Sequence, residues 1–180
     1  MYYGIDPDMR SIAIAVLPAV GLPVAVRIVK ADGTRTGAAG ALGRALQEMF
    51  AEFPPTVLVA EGQDLSYTGK SNRARANDVA ALGVVSGAAL ALGSLAGAKT
   101  HNPMPAAWKG HLPKLQHQAR VFSELGIPFL PSCDESRAAL GGKVKGYCYP
   151  TSPLFGLKKS EWADGADALG LALWGRSGSA

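Results

Sequence analysis

Residues 2–17, YYGIDPDMRSIAIAVL, contain two apolar runs separated by a Pro7-Asp8 turn, and residues 23–30, PVAVRIVK, add a third run. The runs are short and rich in β-branched side chains. Along each run the residues either alternate between apolar and polar or are all apolar, which is typical of strands. Because the connections are short and contain Pro and Gly, sequential antiparallel pairing is the economical arrangement. The chain is therefore predicted to open with a three-stranded meander.

The rest of the chain alternates helical and strand patterns. Residues 40–52 have apolar side chains at helical spacing, and Pro54-Pro55 ends that helix before a buried-strand pattern, TVLVA, at 56–60. The further predictions, in order, are helix 79–98, strand 99–102, helix 113–125, strand 127–131 and helix 162–174. This order predicts an α/β fold with a mixed sheet flanked by helices.

The 180 residues, 48% of them hydrophobic, are predicted to form a single domain over 1–180. Residues 132–160 show no clear period and are expected to form a long loop excursion. Residues 79–98 are uncharged and long enough to cross a bilayer. Their Gly, Ala and Ser content favours a tightly packed core helix or a subunit interface, so no membrane partner is expected.

The charges are segregated along the chain. Residues 70–159 contain 12 Lys or Arg and 4 Asp or Glu, whereas the rest contains 6 basic and 10 acidic residues. A basic middle with acidic ends suits a protein that holds phosphates on one surface and metal on separate carboxylates. The alternative interpretation is that the charged residues are simply scattered over solvent-exposed faces.

Two observations indicate a reducing, cytoplasmic location, which is the host cytoplasm if the protein is viral. Cys133 and Cys148 form neither a disulfide framework nor a zinc motif. The N-terminus lacks the basic and apolar regions of a signal peptide.

The spacing of the three histidines is not that of zinc enzymes. They are expected to be polar or core residues: His101, His111 and His117.

Four carboxylates are predicted at the ends of elements. Asp6 lies near the end of the first strand, Glu61 ends another, and Asp164 and Asp167 share a face at the start of the last helix. Such a cluster is unfavourable without divalent cations, and oxygen ligands favour Mg²⁺ or Mn²⁺. Two ions could support phosphodiester hydrolysis. Taken one at a time, each acid could instead cap a turn, lie at an exposed strand end or be stabilised by the positive end of a helix dipole.

Three motifs in this order resemble the RuvC-type Holliday-junction resolvases of the ribonuclease H-like superfamily. They are GIDP at 4–7, VLVAE at 57–61 and ADGADALGLAL at 163–173. PAAWK at 105–109 and PKLQHQ at 113–118 are similar to the basic strand-to-helix region of that family. The resemblance spans nearly the whole chain, and it implies a ribonuclease H-like mixed sheet of five strands flanked by helices.

The resemblance further implies a structure-selective endodeoxyribonuclease that cuts four-way DNA junctions in recombination and repair. Asp6, Glu61, Asp164 and Asp167 would hold two Mg²⁺ or Mn²⁺ ions. Lys109 would act in catalysis, and Lys114 would contact phosphate; a solvated helix surface is the alternative for both lysines. A homodimer is implied because a four-way junction is nearly two-fold symmetric.

Further DNA contacts are predicted for the segment after Glu61 and for one histidine. Tyr67 could stack on an unpaired base while Lys70, Arg73 and Arg75 hold phosphates. His117 lies on a basic helix and could touch phosphate. Packing of Tyr67 against its own loop is the alternative.

Departures from the family leave the substrate open. Asp8 stands where the family usually has Gly, the segment 132–160 is longer than the corresponding family segment, and the loop 61–75 differs from that of the family. These differences favour a phage-type member. A ribonuclease H-like nuclease for flaps, forks or RNA–DNA hybrids is a second interpretation, and a non-catalytic junction-binding protein is a third. An actin-like kinase is disfavoured because such folds need a second glycine-rich phosphate motif and a longer chain.

Overall fold

The computed structural model describes residues 1–63, 72–127, 157 and 161–178, with the backbone alone at 72–76 and 115. The strands are β1 Tyr2–Asp6, β2 Ser11–Leu17, β3 Ala25–Lys30, β4 Val57–Ala60 and β5 Lys99–His101. The helices are α1 Arg35–Glu52, α2 Asn72–Leu95, α3 Pro105–Lys109, α4 Lys114–Glu124 and α5 Trp162–Arg176. The predicted excursion at 132–160 falls almost wholly outside the described residues.

The five strands form one mixed sheet in the order β3-β2-β1-β4-β5. The first three pair antiparallel as consecutive neighbours, whereas β4 lies parallel to β1 and β5 lies parallel to β4. The predicted meander and the α/β class with a mixed five-stranded sheet are therefore confirmed. Helices connect the parallel strands, as parallel pairing requires.

Alternation along the strands sends side chains to two covered faces. On one face, strand side chains pack with α1 and α2; on the other, they pack with α4 and α5. The first set includes Tyr3, Ile5, Ile12, Ile14 and Val16. The second set includes Ala13, Ala15 and Leu17. In β1, the two-residue period therefore places Gly4 and Asp6 on the face that α5 covers.

Helix α5 lies very close to β1 at Gly4. A Cβ atom at this position would overlap the carbonyl oxygen of Ala168 and the amide nitrogen of Ala172. Both are main-chain atoms, so no side-chain rotation could relieve the overlap. The glycine of the GIDP motif thus allows the last helix to pack directly on the central strand.

Several element bounds differ from the sequence prediction. Helix α1 begins five residues earlier than predicted, because Thr34 caps it by accepting a hydrogen bond from the Gly37 amide at 3.0 Å. The short helix α3 was not predicted. Ile127, the first residue of the predicted strand 127–131, is buried but outside any strand, and 128–131 lie outside the described residues.

The small-residue helix α2 packs against α1 and against β4 and β5. Within the described part of the chain, its segment Asn77–Leu95 is long and apolar enough to span a bilayer, and 28% of that window is buried. Its contacts are those of a core helix with one face left open. That the helix does not enter a membrane stays a prediction.

Candidate functional site

The first two carboxylates lie side by side at one end of the sheet. Asp6 is the last residue of β1, and Glu61 directly follows β4. The two strands are parallel neighbours with Ile5 opposite Ala60, and the Glu61 amide donates to the Ile5 carbonyl at 3.1 Å. The sheet therefore fixes the separation of the two residues.

The other two carboxylates come from the start of α5. Asp164 and Asp167 lie three residues apart, and α5 packs across β1 beside Asp6. Burial raises the pKa of Asp6 well above its ordinary value, and repulsion from Glu61, Asp167 and Asp164 raises it further. The structure thus places the four carboxyl groups predicted from the sequence in one region, where Glu61, Asp164 and Asp167 all affect the pKa of Asp6.

Two lysines pair with these acids. Lys109, on α3, places Nζ 3.2 Å from Oε1 of Glu61, and Lys114, on α4, places Nζ 3.1 Å from Oδ2 of Asp167. Burial by itself lowers the pKa of Lys114, but Asp167, Asp6 and Asp164 together outweigh burial and raise it. Lys114 therefore stays positively charged beside Asp167, and Lys109 pairs with Glu61.

A third lysine pairs with an acid at the beginning of α5. Lys30, at the end of β3, places Nζ 2.6 Å from Oε1 of the buried Glu161, just before the helix starts. Burial raises the pKa of the neighbouring Asp164; Lys114 and Lys30 oppose this rise, whereas Asp167 and Asp8 add to it. The Lys30–Glu161 pair thus ties the acid-bearing end of α5 to the meander.

Asp8 has a structural role in the turn after β1. Its Oδ1 atom accepts hydrogen bonds from the amides of Arg10 at 2.7 Å and Ser11 at 3.2 Å. Aspartate commonly stabilises turns in this way. The Asp8 side chain therefore shapes the connection between the strand bearing Asp6 and β2.

The donor set fits a divalent metal ion in its chemistry. Four carboxyl groups supply the hard oxygens that Mg²⁺ and Mn²⁺ prefer. Oδ1 of Asp167 is buried and accepts no hydrogen bond within the described part of the chain. Across residues 1–63, 72–127 and 161–178, however, no three His, Cys, Asp or Glu side chains converge as a ready-made ligand group. The carboxylates must draw closer together to share an ion.

The main chain around Glu61 is held from both sides. Ser86, buried in α2, donates from Oγ to the Glu61 carbonyl at 3.1 Å, and Asn102 donates from Nδ2 to the Ala60 carbonyl at 2.8 Å. The Gly62 amide donates to the Pro103 carbonyl at 2.8 Å. These supports were missed from the sequence, although a Ser within a Gly/Ala-rich helix can indicate a buried hydrogen bond.

His117, predicted to contact DNA, lies inside the protein with only 1% of its surface exposed. Its ring packs against Trp108, and its Nδ1 atom lies 3.1 Å from the Arg120 guanidinium. Burial, followed by the nearby Arg120 charge, lowers its pKa to about 4. The structure therefore places this ring away from the surface where it could touch a phosphate.

The remaining predicted DNA contacts are only partly described. Arg73 and Arg75 lie in the first turns of α2, where the backbone alone is described. Tyr67 and Lys70 lie outside the described residues, as do Cys133 and Cys148. Of the other histidines, His111 is exposed, and His101 packs against Trp174.

Comparison with known proteins gives structural neighbours only. No sequence family and no curated protein matches the chain. The chain is similar to Thermus thermophilus RuvC in complex with a Holliday junction substrate, with a TM-score of 0.63, 20% identity, and coverage of 98% of this chain and 96% of that chain. A second structure of T. thermophilus RuvC matches with a TM-score of 0.59, the same identity and the same coverage.

The yeast mitochondrial Holliday junction resolvase Ydc2 matches with a TM-score of 0.52 and 11% identity. This alignment covers 97% of this chain and 77% of that chain. All three neighbours match over nearly the full length of the present chain. The chain therefore has the fold of the RuvC-type resolvases, a mixed five-stranded sheet of the ribonuclease H-like kind.

Proposed function

We propose that this protein is a metal-dependent, structure-selective endodeoxyribonuclease that resolves four-way DNA junctions by paired phosphodiester hydrolysis. The observation that carries the proposal is the cluster of Asp6, Glu61, Asp164 and Asp167, edged by two lysines, in a chain with this fold. The neighbour bound to a Holliday junction substrate supports branched DNA as the partner. Recombination and repair in the cytoplasm are the processes such an activity would serve.

The four carboxylates are the proposed ligands of two Mg²⁺ or Mn²⁺ ions. When bound, such ions activate a water and stabilise the departing 3′ oxygen. The chain supplies the framework: Asp6 and Glu61 are spaced by adjacent parallel strands, while Asp164 and Asp167 project from one face of α5. Their mutual repulsion, which raises the pKa of Asp6, is what bound cations would relieve.

Lys109 and Lys114 are proposed to contact the scissile or an adjacent phosphate. Their side chains are 29% and 56% exposed, so each Nζ can reach a ligand without leaving the acidic cluster. An ammonium group in this position offsets the negative charge that develops on the phosphate oxygens during hydrolysis. Lys109 is the more enclosed of the two, which suits a catalytic role.

DNA outside the reaction centre is proposed to contact the segment that follows Glu61 and the first turns of α2. Tyr67 would stack on an unpaired base, and Lys70, Arg73 and Arg75 would hold backbone phosphates. The sequence places all four within fifteen residues of the Glu61 carboxylate. His117 is not part of this proposed surface because its ring is buried.

A homodimer is proposed through the open face of α2. Gly83, Gly87, Ala91 and Leu95 repeat every four residues and are all exposed. A Cβ atom at Gly83 or Gly87 would meet nothing within 4 Å, so a second backbone could approach closely. Two-fold symmetry would present two reaction centres to the two strands of a junction. Light scattering should give twice the chain mass, and Gly87→Glu should give the monomer.

The decisive experiment is cleavage of a labelled synthetic four-way junction with Mg²⁺ or Mn²⁺, beside duplex, flap, fork and RNA–DNA hybrid. Wild type is compared with Asp6→Asn and with Asp32→Asn. Asp32 is a matched control because it is an exposed acid that caps the turn before α1, and Asn preserves its acceptor oxygen. Paired symmetric nicks that persist in Asp32→Asn and vanish in Asp6→Asn are the expected result.

Other outcomes separate the competing functions. Cleavage of flaps, forks or hybrids in preference to junctions would retain the metal centre and change the substrate. Tight junction binding without metal-dependent cutting would indicate a non-catalytic junction-binding protein. Absence of both binding and cutting would overturn the nucleic-acid function.

A further inference from the structure

Three helices that carry candidate catalytic groups meet at one joint, formed by the buried Trp108 of α3, His117 of α4 and Gly170 of α5. Arg120 of α4, whose side chain is partly exposed, hydrogen-bonds to the joint from its edge. Each helix carries a functional group close to its joint residue. Lys109 follows Trp108 directly, Lys114 precedes His117 by three residues, and Asp167 precedes Gly170 by three. Residues three apart lie on the same face of a helix.

Arg120 connects two of the helices. Its NH2 atom donates to the Trp108 carbonyl at 3.1 Å and lies 3.1 Å from Nδ1 of His117. A guanidinium group can only donate, so Nδ1 of the histidine is the acceptor and the ring is neutral, with its proton on Nε2. One side chain thereby fixes the end of α3 and the orientation of the His117 ring.

Gly170 allows the third helix to join this contact. A Cβ atom here would lie 2.7 Å from Cζ3 of Trp108 and 2.9 Å from Nε2 of His117. Contacts this short require the rings or the helix to shift. The two rings pack edge to face with centroids 4.8 Å apart, which is a favourable aromatic geometry. The rings of Trp108 and His117 therefore fill the joint and pack against Gly170.

The joint leads directly to Lys109. Its Nζ atom lies 4.9 Å from the centroid of the Trp108 ring, while the same atom pairs with Glu61 at 3.2 Å. Movement of the Trp108 ring would remove a cation–π contact and shift the ammonium group relative to the acid. The position of Lys109 thus depends on a ring held by His117, Arg120 and Gly170.

We propose that Arg120, His117 and Trp108 are positioning residues that set Lys109 and Lys114 against the carboxylate cluster. None of the three needs to touch DNA or metal in this role. The importance of these three residues for catalysis rests on the proposed function. Their effect on the position of the lysines does not rest on it. The test therefore includes one measurement that requires no substrate and one that does.

The first measurement is the chemical shift of the Lys109 ε-methylene protons in lysine-labelled protein without DNA or metal. The Trp108 ring current should shift these protons upfield in the wild type. Arg120→Met, which removes both hydrogen bonds, should reduce the upfield shift by at least half. Glu124→Gln should leave it unchanged, because the pair that Glu124 forms with Arg120, at 3.7 Å, is exposed.

The second measurement is junction cleavage by the same proteins. Arg120→Met should lower kcat about tenfold to a hundredfold with KM changed less than about threefold, since misplaced catalytic groups affect the transition state. Should Arg120→Met fail to fold, Trp108→Phe and Trp108→Leu replace it; Phe keeps a ring beneath Lys109 and should retain activity, whereas Leu should not.

An unchanged Lys109 shift in Arg120→Met, or equal activity of the Phe and Leu variants, would overturn the positioning role. A reduced shift in a protein whose wild type cuts no junction would uphold the positioning and refute the proposed function. The two failures are therefore distinguishable.

Discussion

Gly4→Ala is expected to destabilise the protein severely, because the added methyl group meets main-chain atoms of α5. The Cβ would overlap the Ala168 carbonyl and the Ala172 amide, so β1 and α5 must move apart. Gly4 is not among the glycines with positive φ, so the effect is steric and not conformational. Overpacking of this kind costs about 3 kcal/mol when the neighbours cannot rotate away. For a chain of this size, the melting temperature should fall by about 6–12 °C.

Urea unfolding of Gly4→Ala and Gly40→Ala, each against wild type, measures this effect. Gly40 lies inside α1, where an added methyl group would have the flexible end of the Arg44 side chain as its nearest neighbour, at 3.7 Å. The same substitution there should raise the free energy of unfolding by about 0.5–1 kcal/mol through helix propensity. A Gly4→Ala protein within about 0.5 kcal/mol of wild type would refute the close packing of α5 on β1.

Three further predictions concern the site and its supports. Burial lowers the pKa of His117 to about 4 in the folded protein, from the ordinary 6.5. Between these two values the unfolded chain binds more protons than the folded chain, so the free energy of unfolding falls as the pH drops from about 6.5 to 4. The loss should reach about 3 kcal/mol in urea titrations and be absent from His117→Gln. Asp6→Asn should raise the melting temperature in EDTA at neutral pH, since it removes a carboxylate repelled by three others. Mn²⁺ should raise the melting temperature of wild type and leave that of Asp6→Asn unchanged; equal Mn²⁺ responses would contradict the ligand assignment. Ser86→Ala should lower the free energy of unfolding by about 1–2 kcal/mol, because the Glu61 carbonyl loses its hydrogen bond from Ser86. Ser94 is exposed on the same helix, and Ser94→Ala should lower the free energy of unfolding by less than about 0.5 kcal/mol.

Local patterns in the sequence were enough to predict the sheet and the ends of the strands that bear Asp6 and Glu61. Alternation of apolar residues along β2 corresponds directly to its two packed faces. Spacing on α5 correctly indicated that Asp164 and Asp167 share a face. These features depend on neighbours within a few residues, which is the range over which periodicity is informative.

The supports of the site depend on contacts between distant residues and were not predicted. Trp108 and Gly170 meet although 62 positions separate them in the sequence, and neither has a distinctive local signal apart from a glycine within an apolar helix. The burial of His117 agrees with the expectation of a polar or core residue, whereas its contact with phosphate was suggested because its helix is basic. A His and an Arg three residues apart, as at 117 and 120, share a helix face and could have indicated a mutual contact.

Because Asp6 and Glu61 terminate adjacent parallel strands, their separation is set by main-chain hydrogen bonding, at about 4.8 Å between strands. The residues that follow each acid do not determine this distance. Selection could therefore exchange, lengthen or recharge those segments and so alter which nucleic-acid shape the proposed nuclease accepts, while the carboxylates keep their places. The same independence would make the chain a suitable scaffold for laboratory evolution: if the proposed function holds, libraries confined to residues 63–71, which spare the hydrogen bond of Gly62 to Pro103, should yield new substrate preferences at little loss of turnover.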